Sequence, residues 1–185
     1  MKTTNNLLQL EVAPNLYLRR ATTADASALF YIIDRDRPYL RQWLPFVDYS
    51  NAVGDTEAYL KYVTAAGNTS DMVFVIVHEK KVCGLIGYKG IDRLNRKLEI
   101  GYWLAEDKQG QGIMRRSCHT LITYAFEKLK MNRIEIRVGV GNNRSNNIPK
   151  KLGFTLEGMQ RQGELLNDRF HDLEVYSLLR SEFKN

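Results

Sequence analysis

The stretch EIGYWLAEDKQGQGIM, residues 99–114, sets two glycines between a β-rich run and a long helix with one apolar face. Gly110 and Gly112 let the chain turn tightly and bring backbone N–H groups close to whatever lies against them. The helix start beyond them offers unpaired N–H donors and the positive end of the helix dipole. Such a segment can cradle a pyrophosphate or another polyanion. The same residues are also compatible with an ordinary glycine-containing loop. No Gly-x-x-x-x-Gly-Lys-Ser/Thr run occurs, and no third glycine with a downstream acidic strand end completes a dinucleotide fingerprint. No Cys-x-x-Cys or His-Glu-x-x-His pattern points to a metal. His78, His119 and His171 lack any motif around them and are read as surface or packing residues. Cys118 lies on the apolar side of the helix and is read as packing, not as a nucleophile.

The elements that must hold this segment follow from periodicity. Residues 16–21 alternate like a strand. Residues 23–35 have helical spacing, with Thr22 or Thr23 as cap. Residues 37–48 read as a short helix broken by Pro45 and followed by an aromatic loop, and Asp55 as the cap of a helix over about 56–66. Residues 72–79 and 82–91 are β-rich and joined at Lys80–Lys81, which predicts a hairpin. A strand over 97–105, a helix over 112–130, a strand over 133–140, a short helix near 146–152 and strands near 154–164 and 169–180 complete the chain. The order β, α, α, β, β, β, α, β, α, β, β predicts a mixed α/β sheet with flanking helices, not a doubly wound nucleotide fold.

The chain has 185 residues, 44% of them hydrophobic and 26% charged, which fits one soluble globular domain spanning 1–185 with its core over about 16–180. Cys83 and Cys118 make no disulfide framework, which suggests a reducing compartment. The opening MKTTNNLLQLEVAP lacks the apolar run of a signal peptide, and no stretch approaches the ~20 apolar residues a membrane span needs. A cytoplasmic protein without membrane contact is therefore expected. The net charge of +6 is dispersed, so an anionic small-molecule site is favoured over direct nucleic-acid binding.

QGQGIM, Gln109 to Met114, resembles the Gln/Arg-x-x-Gly-x-Gly/Ala motif of the GNAT N-acetyltransferases, with Met114 where Gly or Ala is usual. Asn142, Asn143, Arg144 and Ser145, leading to Lys151-Leu152-Gly153-Phe154, resemble the family's Asn-x-x-Ser…Leu-Gly-Phe segment. The wording IGYWL with QGQGIM, and WLPF at 43–46, is similar to the Rim-type enzymes that acetylate N-termini of ribosomal proteins. The resemblance implies the GNAT fold, with a mixed central sheet, a splayed strand pair and flanking helices.

It also implies acetyl-CoA as donor and no metal. Backbone amides of Gln109, Gly110, Gln111, Gly112, Ile113 and Met114 would hold the pyrophosphate. Trp103 and Leu104, at a bulge, would meet the pantetheine arm, and Asn142 would bond it from the opposing strand. The Leu104 N–H would serve the oxyanion. The family's tyrosine acid has no counterpart, because Pro149 stands in its place. Ser145, as in the Rim-type enzymes, becomes the acid toward the CoA sulfur, unless it merely caps its helix. Glu164 becomes the base, with Glu99 as rival.

The acceptor pocket is expected between 37–66 and the last hairpin around 160–170, with Trp43, Phe46 and Tyr49 as lining. Arg20, Arg37 and Arg41 would attract an acidic tail or make surface ion pairs. The acceptor that the resemblance implies is a protein N-terminus, with a ribosomal protein as the leading case. A small amine such as a polyamine or aminoglycoside, and a non-catalytic acyl-CoA-binding module, are the other readings. Edge strands near the C-terminus could pair between two subunits of a homodimer.

Overall fold

The computed structural model describes residues 8–184. Residues 1–7 of the N-terminal stretch read above lie outside the described residues. The elements, in chain order, are β1 (Gln9–Ala13), β2 (Leu16–Arg20), α1 (Ala26–Arg35), α2 (Arg37–Leu40), α3 (Val53–Val63), β3 (Met72–His78), β4 (Lys81–Asp92), β5 (Lys97–Leu104), α4 (Ile113–Glu127), β6 (Arg133–Gly139), α5 (Asn143–Lys151), β7 (Thr155–Leu166) and β8 (Arg169–Leu179). The strands form one sheet in the order β1-β2-β3-β4-β5-β6-β8-β7. Every neighbouring pair is antiparallel except β5 with β6.

Alternation along β5 assigns its side chains to two cores, since successive residues face opposite sides of a sheet. Leu98, Ile100 and Leu104 join Cys118, Leu121, Ile122 and Ala125 of α4 in one cluster. Trp103 points the other way and joins Leu29, Ile33, Leu60 and the β3 valines beneath α1 and α3. The polar segment between β5 and α4 therefore crosses the edge of both layers. Tyr88 is fully buried and donates its hydroxyl to the Leu121 carbonyl, tying β4 to α4. Among the described residues no helix is long and apolar enough to cross a membrane.

Several boundaries differ from those read in the sequence. β1 is an additional strand, and five residues of weak alternation gain their meaning only by pairing with β2. The β3–β4 turn is Glu79–Lys80, one residue earlier than expected, with φ of 51° and 66° as a two-residue hairpin turn requires. Asp55 is not the cap of α3 but its third residue. Its carboxylate reaches back to the N–H groups of Asn51 and Ala52, each at 2.9 Å. α5 starts at Asn143 because the Asn142 side chain accepts from the Ser145 N–H at 3.1 Å and so caps the helix.

Gly84 couples the fold to the site. It lies opposite Leu104 in the β4–β5 ladder, and an added Cβ would run into the Trp103 carbonyl oxygen and come to 3.0 Å from the Leu104 Cα. Both obstacles are backbone, so β5 itself would have to move. Gly84→Ala is expected to cost about 1–3 kcal/mol in urea unfolding, as overpacking does, and to weaken CoA binding in calorimetry.

Candidate active site

The β5–β6 pairing is short. It runs Lys97↔Arg133, Leu98↔Ile134 and Glu99↔Glu135, and then stops, although both strands continue. Beyond Glu99 they part. On its other side β5 stays in unbroken register with β4 from Lys89↔Glu99 to Gly84↔Leu104. The bulge expected at Trp103–Leu104 is therefore not on the β4 side, and the opening comes from the end of the parallel ladder. The Ala105 N–H donates to the Cys83 carbonyl at 2.8 Å, so the Leu104↔Gly84 pair is a non-hydrogen-bonded one. By alternation the N–H groups of Tyr102 and Leu104 point away from β4, into the opening. A buried N–H there calls for a partner.

The glycine loop borders this opening. Gly110 and Gly112 have φ of 76° and 71°, and Gly112 occupies the cap position of α4 without a side-chain cap. The N–H groups of the first turn of α4 are left for a ligand. Arg115 and Arg116 stand in that first turn, where the helix dipole disfavours cations, and no acidic residue offsets them. A bound polyanion would reverse that penalty. Gln109 donates its side-chain amide to the Leu104 carbonyl at 3.2 Å and Gln111 donates to the Asp107 carbonyl at 3.3 Å, which pins the loop. Ile113 and Met114 are buried, so they contribute backbone to the loop. Met114 also lines the donor side of the opening with Leu104, Gln109, Asn142, Arg144 and Ser145.

Asp36, at the end of α1, holds the same loop from behind. It is buried, takes both guanidinium contacts of Arg35 at 2.6 and 2.7 Å, and accepts from the Glu106 N–H at 2.9 Å. Arg35 hydrogen bonding, followed by that of Glu106, depresses its pKa. Sequence reading passed over Asp36, because its partner in the loop is 70 residues away.

A second cavity, of about 290 Å³, continues from the opening and is lined by both Ser145 and Glu164. Glu164 reaches it through an irregularity in β7. Gln160 is opposite Leu173 and Glu164 is opposite His171, so Arg161, Gln162 and Gly163 face Asp172 alone. Gln162 has φ of 51° and donates its N–H to the Asp172 carboxylate at 2.7 Å. Such bulges re-aim side chains beside functional sites. Burial raises the Glu164 pKa, Lys89 and His171 oppose the rise, and Glu99 adds to it. Glu99, the rival base, lines the same cavity but is held by Lys89 at 2.8 Å and Arg137 at 3.6 Å.

A third cavity, of about 640 Å³, reaches from Glu164 and Trp103 past Phe46 and Tyr49 to Asp55 and Asp71. Phe46 leans on Trp103 with ring centroids 6.3 Å apart, and Tyr49 is exposed at the rim. Trp43 lines not this cavity but the central one, together with Leu44 and with Gly163 and Glu164 of the last hairpin. Its indole covers Gly139 and Gly141 at the end of β6, between the donor and central cavities. Of the arginines read as attractants, Arg37 bonds the Val47 and Ser50 carbonyls, Arg41 pairs with Asp48, and Arg20 lies over the Phe74 ring. Cys118 is fully buried and its thiol pKa is pushed up by that burial, consistent with a packing role.

Ser145 does not cap α5, since Asn142 does. Its hydroxyl donates to the phenolic oxygen of Tyr102 at 3.1 Å. The Asn142 Oδ1 is spent on the cap, which leaves its amide nitrogen for a ligand. Tyr102 lines all three cavities. It was missed in the sequence because it was read only as a strand residue inside IGYWL.

Residues 15–155 match the family model described as an acetyltransferase (GNAT) domain. The chain belongs to the GNAT acetyltransferase family. Among similar GNAT relatives is YdaF of Bacillus subtilis (strain 168), named provisionally as a ribosomal N-acetyltransferase. It is 33% identical over 94% of this chain and 96% of its own length. The ribosomal-protein-serine acetyltransferase of Escherichia coli (strain K12) is 30% identical over 91% of this chain and 94% of its own. A solved structure of RimL, a ribosomal L7/L12 alpha-N-protein acetyltransferase in complex with coenzyme A, superposes with a TM-score of 0.89 at 28% identity, covering 93% of this chain and 98% of that one. The mixed sheet with flanking helices is the GNAT fold of that structure.

Asp36→Ala would leave the Glu106 N–H without its acceptor and the Arg35 guanidinium with Asp107 alone. A loss of about 1–3 kcal/mol in thermal or urea unfolding is expected, the usual cost of stranding a buried donor. The KM for acetyl-CoA should rise while the rate at saturating donor stays close to wild type.

Proposed function

We propose that this chain, acting as a single acetyltransferase domain, transfers the acetyl group of acetyl-CoA to the N-terminal α-amine of a ribosomal protein by direct attack in a ternary complex. The observation that carries the reading is the placement of Ser145 and Glu164 on one cavity, at the point where β5 and β6 part. The donor enters along the opening, with its pyrophosphate on the amides from Gln109 to Met114 and its pantetheine arm against Tyr102, Leu104 and Asn142. The acceptor enters from the side of Phe46, Tyr49 and Glu164. RimL-type relatives that act on ribosomal proteins support the choice of acceptor.

An ammonium must lose a proton before it attacks. Glu164, made more basic by burial, takes that proton directly or through a water. The nitrogen lone pair forms the bond to the thioester carbon, and the carbonyl π pair moves onto oxygen. The Leu104 N–H meets that oxyanion. When the intermediate collapses, the C–S pair returns to sulfur, the Ser145 hydroxyl gives its proton to that sulfur, and the proton shed by the nitrogen returns through solvent to the Ser145 oxygen, leaving a neutral amide and a free thiol. No covalent acyl-enzyme is formed.

A small polyamine is the second reading, and the acceptor cavity favours it locally. Asp55, Asp71 and Glu164 line that cavity, and its one lining cation, Lys89, is already paired with Glu99. The overall charge of +6 therefore does not describe the surface an acceptor meets. The spermidine N(1)-acetyltransferase of Escherichia coli (strain K12) is a more distant relative, 23% identical over 76% of this chain.

Mass spectrometry of cellular protein N-termini with and without the gene is expected to reveal a ribosomal protein that loses its acetyl group. An unchanged set of N-termini, with thiol release on spermidine alone, would transfer the assignment to the polyamine. Ser145→Ala and Glu164→Gln should each lower turnover by about 10²-fold or more, the scale of a positioned acid or base. Because the Glu164 pKa is raised and the base is its ionised form, kcat/KM should fall as pH drops through a value above the ordinary glutamate range near 4.3. Glu164→Gln should abolish that acid limb.

A further inference from the structure

Pro149 stands inside α5, at the seventh residue of the helix. A proline has no N–H, and its ring pushes against the carbonyl four residues earlier. That carbonyl belongs to Ser145. Deprived of the N–H that residue 149 would otherwise supply, it accepts from the Tyr102 hydroxyl at 3.3 Å. With its proton committed there, the phenol presents its oxygen to Ser145, whose hydroxyl donates to it at 3.1 Å. Three residues from two sides of the β5–β6 opening thus share one closed arrangement, and Pro149 creates the vacancy that Tyr102 fills.

We propose that Tyr102 is the positioning residue for Ser145, and that Pro149 is the feature of α5 that recruits it. The inference rests on the reading of Ser145 as the group that meets the CoA sulfur. Tyr102 is not itself the acid. Desolvation raises its pKa above the ordinary phenol value of about 10, so it keeps its proton. Its proton is committed to the Ser145 carbonyl, while the serine hydroxyl is the one that can turn toward the sulfur. Its work is to hold the Ser145 oxygen at the mouth of the donor cavity. As sulfur accumulates charge, the serine proton turns toward it and the phenol stays a donor to the α5 backbone. The phenol also ties β5 to α5 across the gap, which fixes how far sulfur lies from the serine.

The test compares Tyr102→Phe, Pro149→Ala, Ser145→Ala and the Tyr102→Phe/Ser145→Ala double variant. Thiol release from acetyl-CoA is measured with a synthetic peptide carrying a ribosomal-protein N-terminus, alongside thermal unfolding. Tyr102→Phe is expected to lower kcat about tenfold, with the KM for acetyl-CoA little changed. In the Ser145→Ala background it should lower kcat no further, since residues acting as one unit are not additive. Pro149→Ala restores an N–H that competes for the Ser145 carbonyl. It should raise the unfolding temperature and lower kcat together, which a merely structural role for the proline would not do. The alkaline limb of the rate profile should be the same in wild type and Tyr102→Phe.

If Ser145→Ala lowers kcat and Tyr102→Phe does not, the positioning role is wrong and the assignment of Ser145 stands. Additive losses in the double variant would also overturn it, as would loss of the alkaline limb in Tyr102→Phe, the mark of an acid. If Ser145→Ala leaves kcat unchanged, the underlying reading of Ser145 fails, and this inference with it.

Discussion

The site depends on one failure of pairing. Two parallel strands, β5 and β6, bond for three residue pairs and then separate while each remains held on its outer side, β5 by β4 and β6 by β8. A sheet that parts in its middle exposes N–H and C=O groups that elsewhere would be satisfied by a neighbour. The cost of those groups is tolerable only where something else can bond them. An extended, amide-bearing arm such as that of the acyl donor is chemically suited to that place.

The helices that flank the gap serve it in different ways. α4 offers an uncapped N-terminus with arginines placed against its own dipole, a small local destabilisation that an anion relieves. α5 is capped by Asn142 and contains Pro149, and the carbonyl that proline leaves without an N–H donor accepts from Tyr102 on β5. α1 ends in Asp36, whose buried carboxylate reaches the loop between β5 and α4. The glycine loop is therefore tied to the layer that also walls the cavity beside Phe46 and Tyr49. A change on either side of the sheet has a physical route to the other.

The charged groups divide in the same spirit. Glu99, Arg137, Glu135 and Lys89 make a ladder of ion pairs across the sheet, which leaves Glu99 little freedom to accept a substrate proton. Glu164 stands apart from that ladder, and burial moves it toward the basic side of an ordinary carboxylate. Two glutamates of the same cavity thus differ in their charged partners.

Much was legible in the linear chain because it is encoded locally. The alternation of residues 97–105 and the apolar side of 112–130 dictate a strand followed by a helix, and Gly110 and Gly112 take the left-handed conformations that their type permits most cheaply. The motif order was enough to name the family. What the sequence could not carry were relations set by contact between distant segments. The bulge that turns Glu164 inward depends on three residues crowding opposite Asp172. The Asp36 link to Glu106 and the Trp43 cover over Gly139 exist only once the layers meet. Tyr102 looked like one more strand residue because its meaning lies in a missing N–H on another element, 47 positions away by the difference between 102 and 149. Local propensity determined the elements, and the hydrogen-bonding demands of groups left unpaired by those elements decided the site.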